Sequence, residues 1–303
     1  MAFDLTDDQL ALRDGIRALV DGRFPMARVR DGFDPSVHAE LAEAGVFSLR
    51  ADGFGWTDAA IVYEELGRGV IPGPLVATFG RDAITTTFDT TLRGAPYVEH
   101  AATAVDVVRL GETDAELVAL ADVELGGAKD WPLDPLTPVW CVETIAAVPG
   151  RADRPTAELR REGALLTAAY CVGMADRLTE LAVDYAQERK QFDRPIGSFQ
   201  AVKHMCAEMA VRVELARVSV HAAACVLDDP GTGALDRAVS AAKLLAGEAA
   251  ILNGRSATQV FGGMGFTWEV DIHLYLKRAW VLETQFGSGD HHADALAATM
   301  PTR

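Results

Sequence analysis

The chain has 303 residues, of which 49% are hydrophobic and 24% are charged, and its formal net charge is -16. This composition is typical of an ordinary globular protein, and so acidic a surface repels phosphate backbones, which argues against nucleic acid as a partner. No run of about 18 apolar residues occurs, so the sequence predicts no membrane span, and the acidic N-terminus lacks the pattern of a secretion signal.

The first part of the chain predicts helices. Apolar residues recur at helical spacing, and Thr6 and Thr57 stand where they could cap the first and last of these helices. A Pro-Gly-Pro break at residues 72–74 follows. We therefore assign residues 1–84 to an N-terminal helical domain. Its predicted helices are 5–24, 35–45 and 57–68.

Residues 85–152 have a different character, because β-branched and apolar runs alternate with glycines and prolines. Short runs of this kind predict strands, so we assign this part to a small β domain. The predicted strands lie within Ala104–Leu110, Leu117–Val123 and Val139–Val142.

Residues 153–303 return to helical spacing, with short connections between long segments. Such an order favours an antiparallel four-helix bundle. The predicted fold is therefore mainly α, with an N-terminal helical domain, a reduced β middle domain and a C-terminal bundle. The predicted bundle helices are 156–190, 199–227, 233–261 and 270–283.

A basic turn joins the first two bundle helices. Arg189 and Lys190 end one helix, Pro195-Ile196-Gly197 forms the turn, and a new helix begins near Ser198. A guanidinium beside a fresh helix N-terminus makes an anion site, although a plain helical hairpin with basic C-terminal residues has the same pattern.

A glycine-rich segment, Gln259 to Thr267, ends the third bundle helix. Gly262 and Gly263 permit a positive φ or a close approach of the backbone to a ligand. By itself the segment is equally consistent with an ordinary helix stop.

Together the two segments resemble the acyl-CoA dehydrogenase family, which carries a Tyr-Ala-x-x-Arg-x-Gln-Phe-Gly-x-Pro-Ile-Gly-x-Phe-Gln segment. This chain departs from that segment at Asp193, where the family has glycine. The family also carries Gln-x-x-Gly-Gly-x-Gly-Phe, and the separation of Arg189 from Gly262 fits its spacing. Asp4–Gln9 and Tyr63–Arg68 look like parts of the family's opening domain.

The resemblance implies the fold described above and an FAD enzyme that forms an α,β double bond in a thioester of coenzyme A. In this family the bundle of one subunit holds the ADP half of its neighbour's FAD, so the resemblance places FAD at a subunit interface. The contacts that it implies are Arg189 at the pyrophosphate, Gln191, Phe192, Phe199 and Gln200 at the adenosine end, and Gln259, Gly262 and Gly263 from the second segment.

The catalytic carboxylate of the family has no clear counterpart. Most relatives place a glutamate where this chain has Phe286, and a minority place it where this chain has Gly163. Glu162 is one position from the second place, but a single residue rotates a helical side chain by about 100°. Glu283 is a further carboxylate near Phe286.

These departures resemble the short, degenerate subunit of actinobacterial heterotetrameric acyl-CoA dehydrogenases of the steroid side-chain type. The resemblance then implies a second, full-length acyl-CoA dehydrogenase subunit in an α2β2 assembly. It also implies an acyl-CoA substrate, possibly a steroid-CoA, and electron-transfer flavoprotein as a redox partner.

Two alternatives remain open at this point. The chain could be a non-catalytic homo-oligomeric scaffold or CoA-ester-binding protein without flavin, or an independent dehydrogenase with Glu162 as its base. The four cysteines form no CxxC pair, which predicts reduced thiols in a cytoplasmic protein. His291 and His292 have no recognisable further ligands, so no metal site is predicted.

Overall fold

A computed structural model describes residues 5–91, 97–142, 145 and 148–299. Asp4, the first residue of the family-like opening segment, lies outside the described residues. Within them the chain is mainly helical, as predicted. The helices are α1 (Asp7–Arg23), α2 (Met26–Arg30), α3 (Pro35–Glu43), α4 (Trp56–Arg68), α5 (Leu75–Thr78), α6 (Thr156–Glu188), α7 (Gln200–Asp228), α8 (Leu235–Phe261), α9 (Ile272–Thr284) and α10 (Gly289–Ala298).

Nine strands complete the described secondary structure. They are β1 (Thr85–Asp89), β2 (Tyr97–Glu99), β3 (Asp106–Leu110), β4 (Asp114–Ala119), β5 (Leu125–Ala128), β6 (Val139–Val142), β7 (Arg151–Pro155), β8 (Lys190–Gln191) and β9 (Arg194–Pro195).

The chain divides into two compact units. Unit 1 comprises 1–26, 55–71 and 164–303, and unit 2 comprises 27–54 and 72–163. The division into domains 1–84, 85–152 and 153–303 stays a prediction.

In unit 1, α4 and α6 cross with their backbones in contact. A Cβ at Gly67 would meet the carbonyl of Tyr170, and a Cβ at Gly173 would meet the carbonyl of Glu64, both far inside the 3.0 Å that real Cβ atoms require. Only glycine fits these two positions, because the obstacle is backbone rather than a side chain that could rotate away.

The predicted bundle is held together by a buried amide. Asn253 of α8 donates to the carbonyl of Ala175 on α6 at 3.3 Å and to the carbonyl of Met209 on α7 at 3.0 Å. Around it lie buried apolar side chains of the three helices, such as Leu178, Val213 and Ala250. The Asn253 side chain thus fixes the position of α8 relative to α6 and α7.

Unit 2 contains two sheets. The first has the strand order β1-β3-β4-β7, in which β1 and β3 are parallel and the other pairs antiparallel, and the second has the antiparallel order β2-β6-β5. The predicted β region is confirmed, but the run Leu117–Val123 ends as a strand at Ala119 and continues as a 3-10 turn. Four strands of this unit lie outside the predicted runs: β1, β2, β5 and β7.

One predicted cap is confirmed and one is wrong. The Thr6 hydroxyl accepts from the N–H of Gln9, whose side chain accepts from the N–H of Thr6. Thr57, however, lies inside α4, which begins at Trp56 after Gly55. The first N–H groups of α4, at Trp56 and Thr57, instead donate to the carboxylate of Asp228, at 2.6 and 3.1 Å.

Candidate functional site

The turn after α6 is a tight β-hairpin. Strands β8 and β9 pair antiparallel, and the two residues between them, Phe192 and Asp193, both have positive φ, 52° and 63°. A two-residue hairpin loop of this kind favours glycine, asparagine or aspartate. Asp193 therefore stands where the family has glycine without changing the course of the turn.

The hairpin carries positive charge to the start of α7. No side chain caps this helix, whose first residue is Gln200 after the cap residue Phe199, so its first N–H groups remain available to an anion. Exposed cations surround the turn in a chain that is acidic as a whole. They are Arg189, Lys190, Arg194 and Lys203.

The glycine-rich segment forms a turn with an open backbone. Gly262 has φ 61° and ends α8, and a 3-10 turn follows over Gly262–Phe266. At Gly262 and Gly263 a Cβ would meet nothing within 4 Å, whereas at Gly265 it would strike the carbonyl of Thr258. Gly265 is thus needed by the fold, while the first two glycines leave space for another molecule.

Ring stacking brings the two segments together. Tyr185, one turn before Arg189, stacks on Phe261, the residue before Gly262, with ring centroids 4.1 Å apart and an interplanar angle of 12°. The ends of α6 and α8 therefore lie side by side. Sequence patterns did not predict this contact, although both aromatic residues stand within the two family-like segments.

Exposed aromatic side chains accompany these cations. Phe192 is 86% exposed, Phe266 81% and Trp268 61%. Phe199 meets Phe192 edge to face, and the Arg194 guanidinium lies 4.1 Å from the Phe199 ring centroid. Flat apolar faces next to guanidinium groups suit a ligand with a heteroaromatic ring and a phosphate.

The remaining predicted contact residues lie on the same elements. Gln200 is exposed at the first turn of α7, and Gln259 is exposed in the last turn of α8. The Gln191 amide donates to the carbonyl of Lys190 at 3.0 Å. Arg194 was not among the predicted contacts, and its charge within the hairpin was the available signal.

Glu162 is engaged in a bidentate ion pair. Both of its carboxylate oxygens accept from Arg154 at 2.7 Å, and the pair raises the pKa of the Arg154 guanidinium. Both carboxylate oxygens of Glu162 are therefore already engaged by Arg154.

The turn that contains Phe286 is held by hydrogen bonds from a buried lysine. Phe286 and Gly287 have φ of 55° and 104°. The buried ammonium of Lys243 donates to the carbonyls of Leu282, Glu283 and Gly287 at 3.1, 2.9 and 3.2 Å. Burial lowers the pKa of Lys243.

Two further side chains fix this turn. Glu283 accepts from the N–H of Gly289 at 2.6 Å and so holds the start of α10. His292 lies 3.1 Å from both the Ser240 hydroxyl and the carbonyl of Phe286, and burial lowers its pKa to about 4. Neither Glu283 nor His292 is therefore a free side chain.

The described residues contain no group of three His, Cys, Asp or Glu side chains placed to hold a metal ion. None of the helices among them is long and apolar enough to cross a membrane.

Comparison with known proteins finds consistent similarities. Residues 159–300 match the family described as acyl-CoA dehydrogenase, C-terminal domain. The chain is 33% identical over 301 residues to acyl-CoA dehydrogenase IpdE2 of Mycobacterium tuberculosis, covering 90% of this chain and 91% of that protein.

Solved structures show the same fold at lower sequence identity. A chain of the ChsE4-ChsE5 complex from Mycobacterium tuberculosis has a TM-score of 0.80 and 21% identity, and each chain is covered to 100%. A chain of the steroid ACAD Tcur3481-Tcur3483 has a TM-score of 0.78 and 21% identity, with 96% of this chain and 97% of that chain covered.

Proposed function

The chain belongs to the acyl-CoA dehydrogenase family of oxidoreductases, and on this basis we propose that it is a subunit that holds the ADP half of FAD for a partner's active site. The observation that carries the proposal is the stacking of Tyr185 on Phe261, which brings the basic hairpin beside the open glycine turn.

The residues of this region fit the ADP half of FAD chemically. The free N–H groups at the start of α7 and the Arg189 guanidinium suit a pyrophosphate. Phe192 and Phe199 offer ring faces to an adenine, and the bare backbone at Gly262 and Gly263 admits close approach. When bound, FAD would supply the acceptor for the hydride that leaves the β carbon of the thioester.

We propose that the partner is a second, full-length acyl-CoA dehydrogenase in an α2β2 assembly. The support is that the two expected places hold Phe286 and Gly163, and that Glu162, next to the second place, is paired with Arg154. The similar fold found in a complex of two differently named chains agrees with a heteromeric enzyme.

The acyl group that we propose is bulky, such as a steroid-CoA, and electron-transfer flavoprotein would reoxidise the flavin. The electron-transfer flavoprotein is proposed from the family resemblance. The steroid is proposed from that resemblance and from the name of a steroid ACAD with the same fold. The cytoplasmic location also remains a proposal.

The test is flavin binding by the assembly. After co-expression with a full-length partner subunit, we expect a yellow complex with FAD, and little flavin in this chain alone. Replacing Arg189 by alanine removes a charge-assisted hydrogen bond, which is worth about 1.5–3 kcal/mol, or about 10–150-fold in FAD affinity. The measurement is flavin absorbance per assembly during dialysis against falling FAD concentrations.

Arg237→Ala is the matched control, since Arg237 is also an exposed arginine but lies in the first turn of α8. Unchanged FAD affinity of a folded Arg189→Ala complex would overturn the proposed contact. Full flavin loading of the isolated chain would overturn the need for a partner.

We further expect Glu162→Gln to leave turnover of the assembled enzyme near the wild-type rate. The ion pair with Arg154 already occupies both carboxylate oxygens. The measurement is the steady-state rate with acyl-CoA, with the exposed Glu158→Gln as control. A loss of about 10²–10⁴-fold, the usual contribution of a general base, would show that this chain supplies the base after all.

A further inference from the structure

A groove lies between α8 and α10 of unit 1, and we call it the α8–α10 groove. Its volume is about 300 Å³. The α8 wall is apolar and includes Leu244, Gly247, Ile251 and Leu252, and Ala293 lines the groove from α10. The four residues of α8 share one face of the helix, because they stand three and four positions apart. A mostly apolar groove of this size suits a small molecule.

A glycine in the middle of α8 makes room for this groove. Glycine is less favourable than alanine inside a helix, because it loses more conformational freedom on folding. Gly254 of the same helix is explained by packing, since a Cβ there would meet Leu276 at 2.9 Å. A Cβ at Gly247, however, would meet nothing within 4 Å, although Gly247 lines the groove. The chain's own packing therefore does not require glycine at this position, and the space serves something else.

The charges that line the groove are mainly negative. Glu248 of α8 and Asp290 of α10 are both exposed, and among the described residues neither forms an ion pair. A third carboxylate, Glu283, already accepts from a backbone N–H. The only ammonium in the lining, that of the buried Lys243, already donates to three carbonyls. The charge of the lining therefore favours a cationic ligand.

The positions of the carboxylates show what kind of cation fits. Glu248 and Asp290 stand on the two opposite walls, α8 and α10, with apolar residues of the groove lining beside them. They belong to no group of three His, Cys, Asp or Glu side chains that could hold a metal ion, and the described residues contain no such group. A single compact cation therefore lacks a complete set of ligands here. A molecule with an apolar stem and two separate cationic ends matches both the lining and the charges.

We infer that the α8–α10 groove binds an aliphatic diamine, whose carbon chain lies along α8 and whose ammonium groups pair with Glu248 and Asp290. This inference does not rest on the flavin proposal, because the groove shares no residue with the basic hairpin or the glycine turn. The ligand would bind beside Lys243 and Glu283, which hold the turn at Phe286.

The test is isothermal titration of the full chain with 1,5-diaminopentane. For so small a ligand we expect one site with a dissociation constant on the order of 1 mM. Two control compounds separate charge from stem: 1,5-pentanediol has the stem without the charge, and ammonium chloride has the charge without the stem. Each should bind about tenfold more weakly or less, because each lacks half of the contacts.

Three variants test the site itself. Gly247→Leu would fill the groove with a side chain and should weaken binding by about tenfold or more. Glu248→Gln and Asp290→Asn should each weaken it by about threefold to tenfold, between the effects of an exposed ion pair and a charge-assisted hydrogen bond. Asp8→Asn is the matched control for Asp290→Asn, since Asp8 is an exposed aspartate in the first turn of α1. Far-UV circular dichroism confirms that each variant is folded.

Three results would each overturn the inference. The first is an affinity that Gly247→Leu leaves unchanged. The second is an equal loss in Asp8→Asn, which would show that the diamine is attracted only by the acidic chain as a whole. The third is binding that disappears when a co-expressed partner subunit is present, which would show that the groove is a contact surface of that subunit.

Discussion

Replacing Gly173 by alanine is expected to destabilise the protein by more than about 3 kcal/mol, the upper end of overpacking effects. The added methyl group would enter the carbonyl of Glu64, so α4 and α6 would have to separate along their line of contact. Neither helix can yield locally, because backbone meets backbone. Because domains are typically stable by only about 5–15 kcal/mol, a loss of this size removes a large share of the free energy of unfolding. Urea unfolding followed by circular dichroism measures the change.

Gly247→Ala supplies the control. Gly247 also lies inside a long helix, but a Cβ there would meet nothing within 4 Å. Alanine at such a position should stabilise by about 0.4–1 kcal/mol, because it lowers the entropy of the unfolded chain. Gly67→Ala should behave like Gly173→Ala, since Gly67 abuts Tyr170 at the same crossing. Ordinary surface substitutions change the free energy of unfolding by about 0.5 kcal/mol or less. If Gly67→Ala and Gly173→Ala each change it by less than about 1 kcal/mol, α4 and α6 do not approach each other this closely.

Replacing Lys243 by methionine is expected to cost about 2–4 kcal/mol of folding free energy. Methionine fills the space of the aliphatic stem but removes the ammonium that donates to the carbonyls of Leu282, Glu283 and Gly287, of which Leu282 keeps only a 3.3 Å contact from the N–H of Gln285. A buried acceptor without a partner costs about 1–3 kcal/mol, and the removal of a desolvated charge offsets part of the sum.

The matched control for this change is Lys203→Met, at an exposed position of α7. Surface substitutions of this kind usually stay within about 0.5 kcal/mol. We expect the loss at Lys243 to appear as a lower midpoint of urea unfolding with an unchanged slope. A midpoint equal to that of Lys203→Met would show that the turn holds its course without the ammonium.

The turn at Phe286 links stability to function in this family. The family resemblance predicts a catalytic glutamate at this position, whereas here a buried lysine, a histidine and a capping glutamate hold a phenylalanine. The turn is thus ordered although position 286 carries no carboxylate. This is the physical reason to look for the base in a partner subunit.

Local features could be predicted from the sequence because neighbours along the chain determine them. The long helices of the bundle followed from apolar spacing, and α1 begins at the capping box of Thr6 and Gln9. The sequence predicted the break between α6 and α7 but placed its turn at Pro195-Ile196-Gly197, whereas the hairpin loop lies at Phe192 and Asp193. The family motifs carried the candidate FAD contacts, which remain predictions.

Features made by distant residues could not be predicted in this way. Asp228 binds the start of α4 from 172 residues away, which no local pattern at Thr57 reveals. Arg154 occupies Glu162 from β7, and Tyr185 meets Phe261 across the bundle. Periodicity shows that a helix has an apolar face, but it does not show which partner that face will contact.

The sequence by itself determined the helical bundle, the small β region and the family, because spacing and short motifs encode them directly. The tertiary structure decided which side chains are free to act. It placed the basic hairpin beside Gly262 and paired Glu162 with Arg154. These outcomes depend on contacts between segments far apart in the chain, whose energies are settled only when the core has packed.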